Sequence, residues 1–228
     1  MKSFNNRLIM VCCALILTFF LMDDTASAQM GGVQGPVQML PGGAQGGSKV
    51  GPGMVRLRRL PKLGRSTLVR TPEFQTSVAR SSRVRRARQW AIFEVEYDTA
   101  PEWIDSIDIS YSVMTYNKTR DGKDDYSLFQ LRATYLDIQK GEHAGCVLLA
   151  PNTMARFGSP VALAVELSID GTVLATESTV SDKNLPEADW WKNPRIIDSP
   201  IVTRRNGLLE RSKTPFALIN MDDYEVVK

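Results

Sequence analysis

The middle of the chain alternates apolar and polar residues over many positions. Every second residue from 106 to 113 is apolar and the intervening residues are Ser or Asp; the apolar positions are Ile107, Ile109, Tyr111 and Val113. A period of two places these side chains on one face of an extended strand, whereas a helix needs a period near 3.6. This segment is therefore predicted to be a half-buried β-strand.

Similar patterns recur on both sides of this strand. The predicted strands lie within residues 90–98, 104–114, 126–138, 145–150, 161–169 and 172–180. Asp170-Gly171 is a hairpin signal, because both residues tolerate the positive φ of a two-residue turn. Six or seven strands in about 100 residues, without a sustained helical period, predict an all-β domain over residues 89–192. We expect an antiparallel immunoglobulin-like β-sandwich, with a small barrel as the alternative.

The N-terminus has the three parts of a secretory signal peptide. Lys2 and Arg7 provide a positive start, residues 8–22 form an apolar run, and residues 26–28 (Ala-Ser-Ala) fit a cleavage site. Fifteen helical residues span roughly 22 Å, which is short of a hydrocarbon core of about 30 Å and favours a cleaved signal over an anchor. Residues 1–28 are therefore predicted to be removed, which places the mature protein in the periplasm or at the cell surface.

Two segments of unusual composition precede the predicted domain. Residues 29–54 are rich in Gly, Gln and Pro with a single charge, which predicts a flexible linker. Residues 55–88 form a basic arm that is predicted to be largely disordered. Residues 49–88 carry twelve Lys or Arg and one acid, net +11, whereas the remainder of the chain after residue 88 has 14 basic and 22 acidic residues, net −8. The C-terminal tail, residues 193–228, is predicted to pack on or beside the domain.

The arginines of the basic arm are the candidate binding residues: Arg56, Arg58, Arg59, Arg80, Arg83, Arg85, Arg86 and Arg88. Three interpretations are open. The arm is a solvated linker, or it binds a polyanion such as DNA, lipopolysaccharide or an anionic membrane, or it docks on an acidic surface of a partner or of the domain itself. Phe74 is the only aromatic residue of the arm, which counts against stacking on single-stranded nucleic acid.

Residues that carry enzymatic chemistry are scarce. The mature chain has one histidine, His143, and one cysteine, Cys146, which excludes common zinc sites and most histidine-based triads. Cys146 lies in a predicted strand and is expected to be a small buried residue. The acidic loop at residues 121–125 lacks the full spacing of an EF-hand. We expect no catalytic residues, no metal and no cofactor; a glycosidase built from distant carboxylates is the enzymatic alternative.

Three tryptophans of the predicted domain have two interpretations. Trp103, Trp190 and Trp191 together would form an aromatic binding patch if all were exposed. A tandem pair that closely precedes a proline is instead typical of a hydrophobic lid over the end of a sandwich, because large aromatic side chains contribute most when they are buried. The lid is the favoured interpretation of Trp190 and Trp191.

Three stretches resemble a group of small exported bacterial proteins that are encoded beside type IV pilus assembly components. They are WAIFEVEYDTAPEWIDSIDISYSVM (90–114), KGEHAGCVLLAPNTMARFG (140–158), and the Asp-Gly hairpin followed by WWKNP. The resemblance covers about 105 of 228 residues and leaves out the linker and the basic arm. It implies an immunoglobulin-like sandwich in a periplasmic or surface accessory protein of a pilus system, without known catalytic residues.

These observations together predict a non-enzymatic exported interaction protein. It is expected to bind protein partners of an envelope or type IV pilus-like assembly through its β-sandwich, and to have no small-molecule substrate. Edge strands of such sandwiches commonly pair with strands of a partner. The alternative is a polyanion-binding protein that acts through the Arg-rich arm.

Overall fold

The computed structural model describes residue 51 and residues 53–72, 88–186 and 188–219. The predicted signal peptide and nearly all of the predicted linker lie outside the described residues, as do four of the candidate arginines, Arg80, Arg83, Arg85 and Arg86. Within the described ranges, no helix is long and apolar enough to cross a membrane.

Strands dominate the described part of the chain, which confirms the predicted all-β class. They are β1 (Val55–Arg59), β2 (Leu68–Arg70), β3 (Gln89–Lys118), β4 (Asp124–Leu149), β5 (Ser159–Ile169), β6 (Thr172–Val180), β7 (Val202–Arg205) and β8 (Leu208–Glu210). Two short α-helices accompany them, α1 (Pro151–Phe157) and α2 (Pro194–Ile197). Each helix has proline in its first turn, where the missing N–H costs nothing.

Two very long strands form the centre of the fold. β3 and β4 pair antiparallel over almost their whole length, and the ladder is interrupted between Thr99 and Trp103 of β3. The sequence predicted separate strands at residues 90–98 and 104–114. The structure joins them into one, because the pairing with β4 resumes beyond the interruption. The predicted strands at residues 126–138 and 145–150 merge into β4 for the same reason.

The long hairpin bends at this interruption, and its two halves face each other. Tyr135 and Gly145 belong to the same strand, yet a β-carbon built on Gly145 would lie 2.8 Å from the Tyr135 hydroxyl. A strand of about ten residues covers roughly 33 Å, so the contact requires β4 to fold back. The two halves enclose the main core, whose largest buried members include Phe93, Tyr97, Ile107, Ile109, Tyr111, Phe129 and Tyr135.

Shorter strands extend both halves of the hairpin. β1 and β2 pair with the first half of β3, and β8 pairs with the end of β4. The other half has the order β6-β5-β3-β4-β7. β7 runs parallel to β4, so the sheet is mixed and not antiparallel throughout as predicted. The reason is the connection between β6 and β7, which crosses from one edge of the sheet to the other before β7 begins.

This crossing segment covers a second, smaller core on the opposite face of the sheet. Met114, Leu128 and Ala164 line that face and pack against Trp190 and Trp191. The tandem tryptophans are 0% and 7% exposed, which confirms that they are buried, but they cover a face of the sheet and not the end of a sandwich as predicted. Three further apolar residues of the segment, Leu185, Ile196 and Ile197, join the same cluster, as does Val202 at the start of β7.

Part of the predicted disordered arm is ordered as strand. β1 lies in register with residues 96–99 of β3, and β2 with residues 89–91. Val55 and Leu57 are buried in the main core, because alternation directs both to one face and Arg56 and Arg58 to the other; the register shift between Leu57 and Arg59 leaves Arg59 exposed. The prediction of disorder is therefore wrong for β1 and β2. Residues 73–87 lie outside the described residues.

Candidate functional site

β1 lies beside acidic residues of the same chain. Arg58 forms ion pairs with Glu142 and with Asp98, the latter at 3.6 Å. The hydrogen bond to Glu142 raises the pKa of Arg58, and the charges of Asp98 and Glu142 raise it further. Docking on an acidic surface of the domain itself is thus observed for this arginine, and part of the charge asymmetry of the sequence is compensated within the fold.

The other described candidate arginines do not form one continuous basic patch. Arg56 and Arg59 lie on β1 and are exposed, and Arg59 is in register with Glu96. Arg88 precedes β3 and donates a hydrogen bond to the side-chain oxygen of Asn152. The eight residues of β3 between these positions span about 26 Å. The remaining four candidates lie outside the described residues.

A groove of about 450 Å³ opens between β1 and β2 against the first half of β3. It exists because β1 and β2 pair with different parts of β3 and leave residues 92–95 without a strand partner on that side among the described residues. The lining residues are Arg59, Pro61, Lys62, Ser66, Val69, Ile92, Glu94 and Glu96. Two cations and two carboxylates share the groove, so its charge does not favour a polyanion.

The edge strand β6 carries little charge, in contrast to the groove. Among the described residues, β6 pairs with β5 and with no other strand. Its sequence, TVLATESTV, has a single charge, Glu177, and neither Lys nor Pro. Val173 is 51% exposed on this strand. Soluble proteins usually protect the edge strands of their sheets with Lys, Pro or bulges. In the pairing of β6 with β5, the one irregularity is a register shift opposite Leu167 and Ser168.

The surroundings of the histidine and the cysteine indicate structural roles for both residues. Burial raises the pKa of the Cys146 thiol to about 12, so the thiol is protonated and unreactive at neutral pH. His143 Nε2 lies 2.7 Å from the carbonyl oxygen of Gln139 and 3.1 Å from Thr99 Oγ1. Because the carbonyl only accepts, Nε2 carries the proton, and the contacts fasten the bend of the hairpin. Within the described ranges, no cluster of three His, Cys, Asp or Glu is arranged to hold a metal ion.

The third tryptophan is exposed to solvent, unlike the tandem pair. Trp103 is 58% exposed at the bend of β3, whereas Trp190 and Trp191 are buried in the second core. The three tryptophans therefore do not form a single exposed binding patch. Trp103 alone remains available to a partner.

Two arginines that the sequence did not single out lie against one aromatic ring. The guanidinium carbons of Arg156 and Arg205 lie 4.9 Å and 4.2 Å from the centre of the same aromatic ring, that of Phe157. Arg156 lies in the last turn of α1 and Arg205 ends β7, so nearly fifty residues separate them. No local sequence signal connects two such positions, and only the placement of β7 beside β4 brings them together.

The architecture defines an all-β protein built on one bent hairpin, in which β6 pairs with β5 alone among the described strands. A protein-family model matches residues 65–228, and the chain belongs to that family. The matched region includes β2, the arginines before β3 and the C-terminal tail. The family relationship thus reaches into the basic arm, which the sequence resemblance left out. No curated protein sequence matches the chain.

A solved structure shares this architecture. The crystal structure of a protein from Akkermansia muciniphila aligns with 76% of this chain and with 92% of that chain, at a TM-score of 0.60. The two sequences are 21% identical over the alignment. Likeness at this level of identity establishes a similar fold and carries no functional assignment.

Proposed function

We propose that this protein is an exported, non-enzymatic accessory protein that binds protein partners in a bacterial cell envelope. The signal-type pattern of residues 1–28 supports export to the periplasm or the cell surface. The resemblance of residues 90–114 and 140–158 to exported proteins encoded beside pilus components supports a type IV pilus-like assembly as the setting. The facing halves of the bent hairpin support our proposal that the fold is an immunoglobulin-like sandwich.

The position of β6 at the end of the sheet, where it pairs with β5 alone among the described strands, is the observation that carries this proposal. A strand that pairs with one neighbour presents backbone N–H and C=O groups on its other side, and an extended partner segment satisfies them by adding a strand. β6 has nine residues, of which Glu177 is the one charged residue, and part of the strand lies close to β1. The proposed occupant is an extended segment of an envelope protein, with β-branched residues that match the threonines and valines of β6.

A second candidate function is polyanion binding through the arginine-rich arm. Its support is the net charge of +11 over residues 49–88 and the exposure of Arg56 and Arg59, which have no ion-pair partner within the described residues. Lipopolysaccharide, DNA and anionic membranes all present phosphates to such an arm. The carboxylates that already pair with Arg58 reduce the charge that is free for this purpose.

Site-specific crosslinking in the producing cell tests the edge proposal. A photoreactive residue at Thr176, which is exposed on β6, is expected to form an adduct with an envelope assembly protein. Val173→Lys places a charge on the same edge and is expected to remove the adduct, because a lysine on an edge strand opposes strand addition. Leu218→Lys is the matched control, since Leu218 is also exposed and apolar but lies outside β6.

Two results would contradict the proposal. The adduct forms equally in the Val173→Lys variant, or the identified partner is not a component of the envelope. Thermal unfolding of each variant shows whether the fold is intact, and both substitutions are expected to leave it so because both side chains are largely exposed. Deletion of residues 73–87 tests the second candidate function, polyanion binding. If the deletion variant no longer binds lipopolysaccharide and DNA but still forms the adduct, the two activities belong to different elements of the protein.

A further inference from the structure

A large aromatic side chain is exposed at the bend of the long hairpin. Trp103 is 58% exposed, and it belongs to neither hydrophobic cluster of the described residues. It lies where the ladder between β3 and β4 resumes, in register with Gln139. The backbone is fixed here, because Thr99 Oγ1 donates to the carbonyl oxygen of Gln139 at 2.7 Å and accepts from the N–H of Gly141 at 3.1 Å. An ordered part of the fold therefore presents the indole ring of Trp103 to solvent, where an aromatic side chain is a typical anchor for a partner.

The surroundings of this tryptophan are acidic. Three exposed carboxylates flank it along the two strands: Glu102 and Asp105 on β3, and Asp137 on β4. Residues 98–105 and 137–142 together hold five acids and one lysine. The other two of these acids pair with Arg58, so the bend keeps a net charge of −3 when that arginine is included. A negative surface of this kind repels a polyanion and attracts a basic segment.

The densest run of arginines lies at the other end of the fold. Residues 80–86 contain four arginines and no acid, and Arg88 follows them closely. The carbonyl oxygen of Arg88 accepts from the N–H of Thr71 at 2.9 Å and from Thr71 Oγ1 at 3.0 Å, which fixes Arg88 at the start of β3. From Gln89 to Thr99 the ladder of β3 spans about 33 Å, so the bend lies at least this far away.

This distance separates most of these arginines from the bend of their own chain. Three of them lie within five residues of Arg88: Arg83, Arg85 and Arg86. A fully extended chain covers at most about 3.6 Å per residue, so their backbones stay within about 18 Å of Arg88. An arginine side chain does not cover the remaining distance. Contact between these arginines and the bend therefore requires two molecules.

The chemistry of the two surfaces is complementary. A guanidinium group stacks on an indole ring through its flat face and donates to carboxylates through its edge, and lysine has no such planar fork. All four cations of residues 80–86 are arginines. We propose that the bend around Trp103 binds the arginine-rich segment, residues 80–86, of a second copy of this chain. The contact joins two different surfaces, so it either closes as a reciprocal pair or continues from copy to copy.

The separation of charge along the chain supports a second copy as the occupant. Residues 49–88 have a net charge of +11 and the rest of the chain after residue 88 has −8. Among the described candidate arginines, Arg58 is the one that forms ion pairs with acids of the domain. Two copies bring the remaining basic and acidic surfaces together, and their attraction is screened beyond about 10 Å at 0.1 M salt.

Sedimentation velocity of the mature chain, residues 29–228, measures this self-association. We expect a mass above that of the monomer at about 50 mM salt and a monomer at about 0.5 M, because salt screens the charges. Trp103→Ala is expected to weaken the association at least about tenfold by removing the aromatic anchor. Leu218→Ala is the matched control, since Leu218 is also exposed and apolar. Asp105→Asn is expected to weaken it about threefold, whereas Asp121→Asn, in the turn between β3 and β4, leaves it unchanged.

A mixture of two defective variants tests whether these two surfaces meet. One variant has Trp103→Ala, and the other replaces the four arginines with glutamine: Arg80→Gln, Arg83→Gln, Arg85→Gln and Arg86→Gln. Each variant alone is expected to be monomeric. The equimolar mixture is expected to form dimers, because one variant keeps the arginines and the other keeps the bend.

Three results would overturn the proposal. The mixture stays monomeric, or the Trp103→Ala variant associates as strongly as the wild type, or the wild type itself is monomeric at low salt. If the wild type is monomeric and the glutamine variant has lost binding to lipopolysaccharide, the arginines serve a polyanion and not a second copy.

Discussion

Gly145 lies against Tyr135 of its own strand, and no larger residue fits between them. A β-carbon at Gly145 would be 2.8 Å from both Cζ and Oη of Tyr135, and 3.1 Å from the hydroxyl of Tyr111. The tyrosines are fully enclosed by the core and have little freedom to move aside. The absence of a side chain at position 145 therefore allows the two halves of the hairpin to approach each other.

Gly145→Ala is expected to destabilise the protein by about 1–3 kcal/mol through overpacking. Chemical denaturation measures the free energy of unfolding. Tyr135→Leu in the same background is the control: if the tyrosine ring is the obstacle, the alanine costs less in the double variant than in the wild type. Equal costs in both backgrounds would show that the close approach does not limit the packing.

Leu57 and Arg58 are neighbours on β1 with different expected contributions to stability. Leu57→Ala removes a side chain from the main core and is expected to cost about 2–4 kcal/mol. Arg58→Gln breaks exposed ion pairs and is expected to cost less than about 1 kcal/mol. Denaturation at low and high salt compares them, since only the arginine contribution is screened. The reverse ranking would mean that charge, and not burial, holds β1 to the sheet.

The buried thiol of Cys146 predicts a pH dependence of stability. Its pKa is raised from 9.0 to about 12 by burial, so above pH 9 the unfolded chain loses the proton first. Stability is therefore expected to fall as pH rises from 9 towards 12, by up to about 1.4 kcal/mol per pH unit. Cys146→Ala is expected to have a shallower slope between pH 9 and 10.5 in denaturation experiments. An unchanged slope would assign the dependence to the buried tyrosines, whose pKa values burial also raises.

The tryptophans offer a matched pair of substitutions. Trp190→Ala empties the centre of the second core and is expected to cost about 3–5 kcal/mol, because the side chain is fully buried. Trp103→Ala is expected to change stability by less than about 0.5 kcal/mol, because that side chain is 58% exposed. Thermal unfolding compares the two variants. A large loss from Trp103→Ala would mean that the bend depends on its ring.

Export predicts a defined N-terminus for the mature protein. Cleavage after residue 28 leaves Gln29 as the first residue and removes two of the three cysteines. Intact-mass measurement of the protein from the envelope fraction is expected to give this species. Ala28→Pro is expected to block processing and leave the precursor. A mature start far downstream would instead indicate proteolysis within the linker or the basic arm.

Most of the strands could be predicted from the sequence. Residues 161–169 and 172–180 appear as β5 and β6, and Asp170 and Gly171 between them have positive φ angles of 49° and 77°, as the hairpin prediction required. Local periodicity and turn chemistry are properties of neighbouring residues, which is why they could be predicted. The burial of Cys146 followed from the same pattern.

Other features depended on contacts between distant parts of the chain. The sequence did not show that residues 90–98 and 104–114 form one bent strand, or that the basic arm supplies β1 to the core. It also could not pair Arg156 with Arg205, which meet at Phe157 only because β7 joins the far edge of the sheet.

The sequence by itself determined an all-β protein with a signal-type N-terminus and a strong separation of charge, because composition and period-two alternation are local properties. Only the tertiary structure decided where the hairpin bends, which strand ends the sheet and which charges meet. The physical reason is that each of these depends on packing between residues far apart in the chain, as Gly145 and Tyr135 show even within one strand.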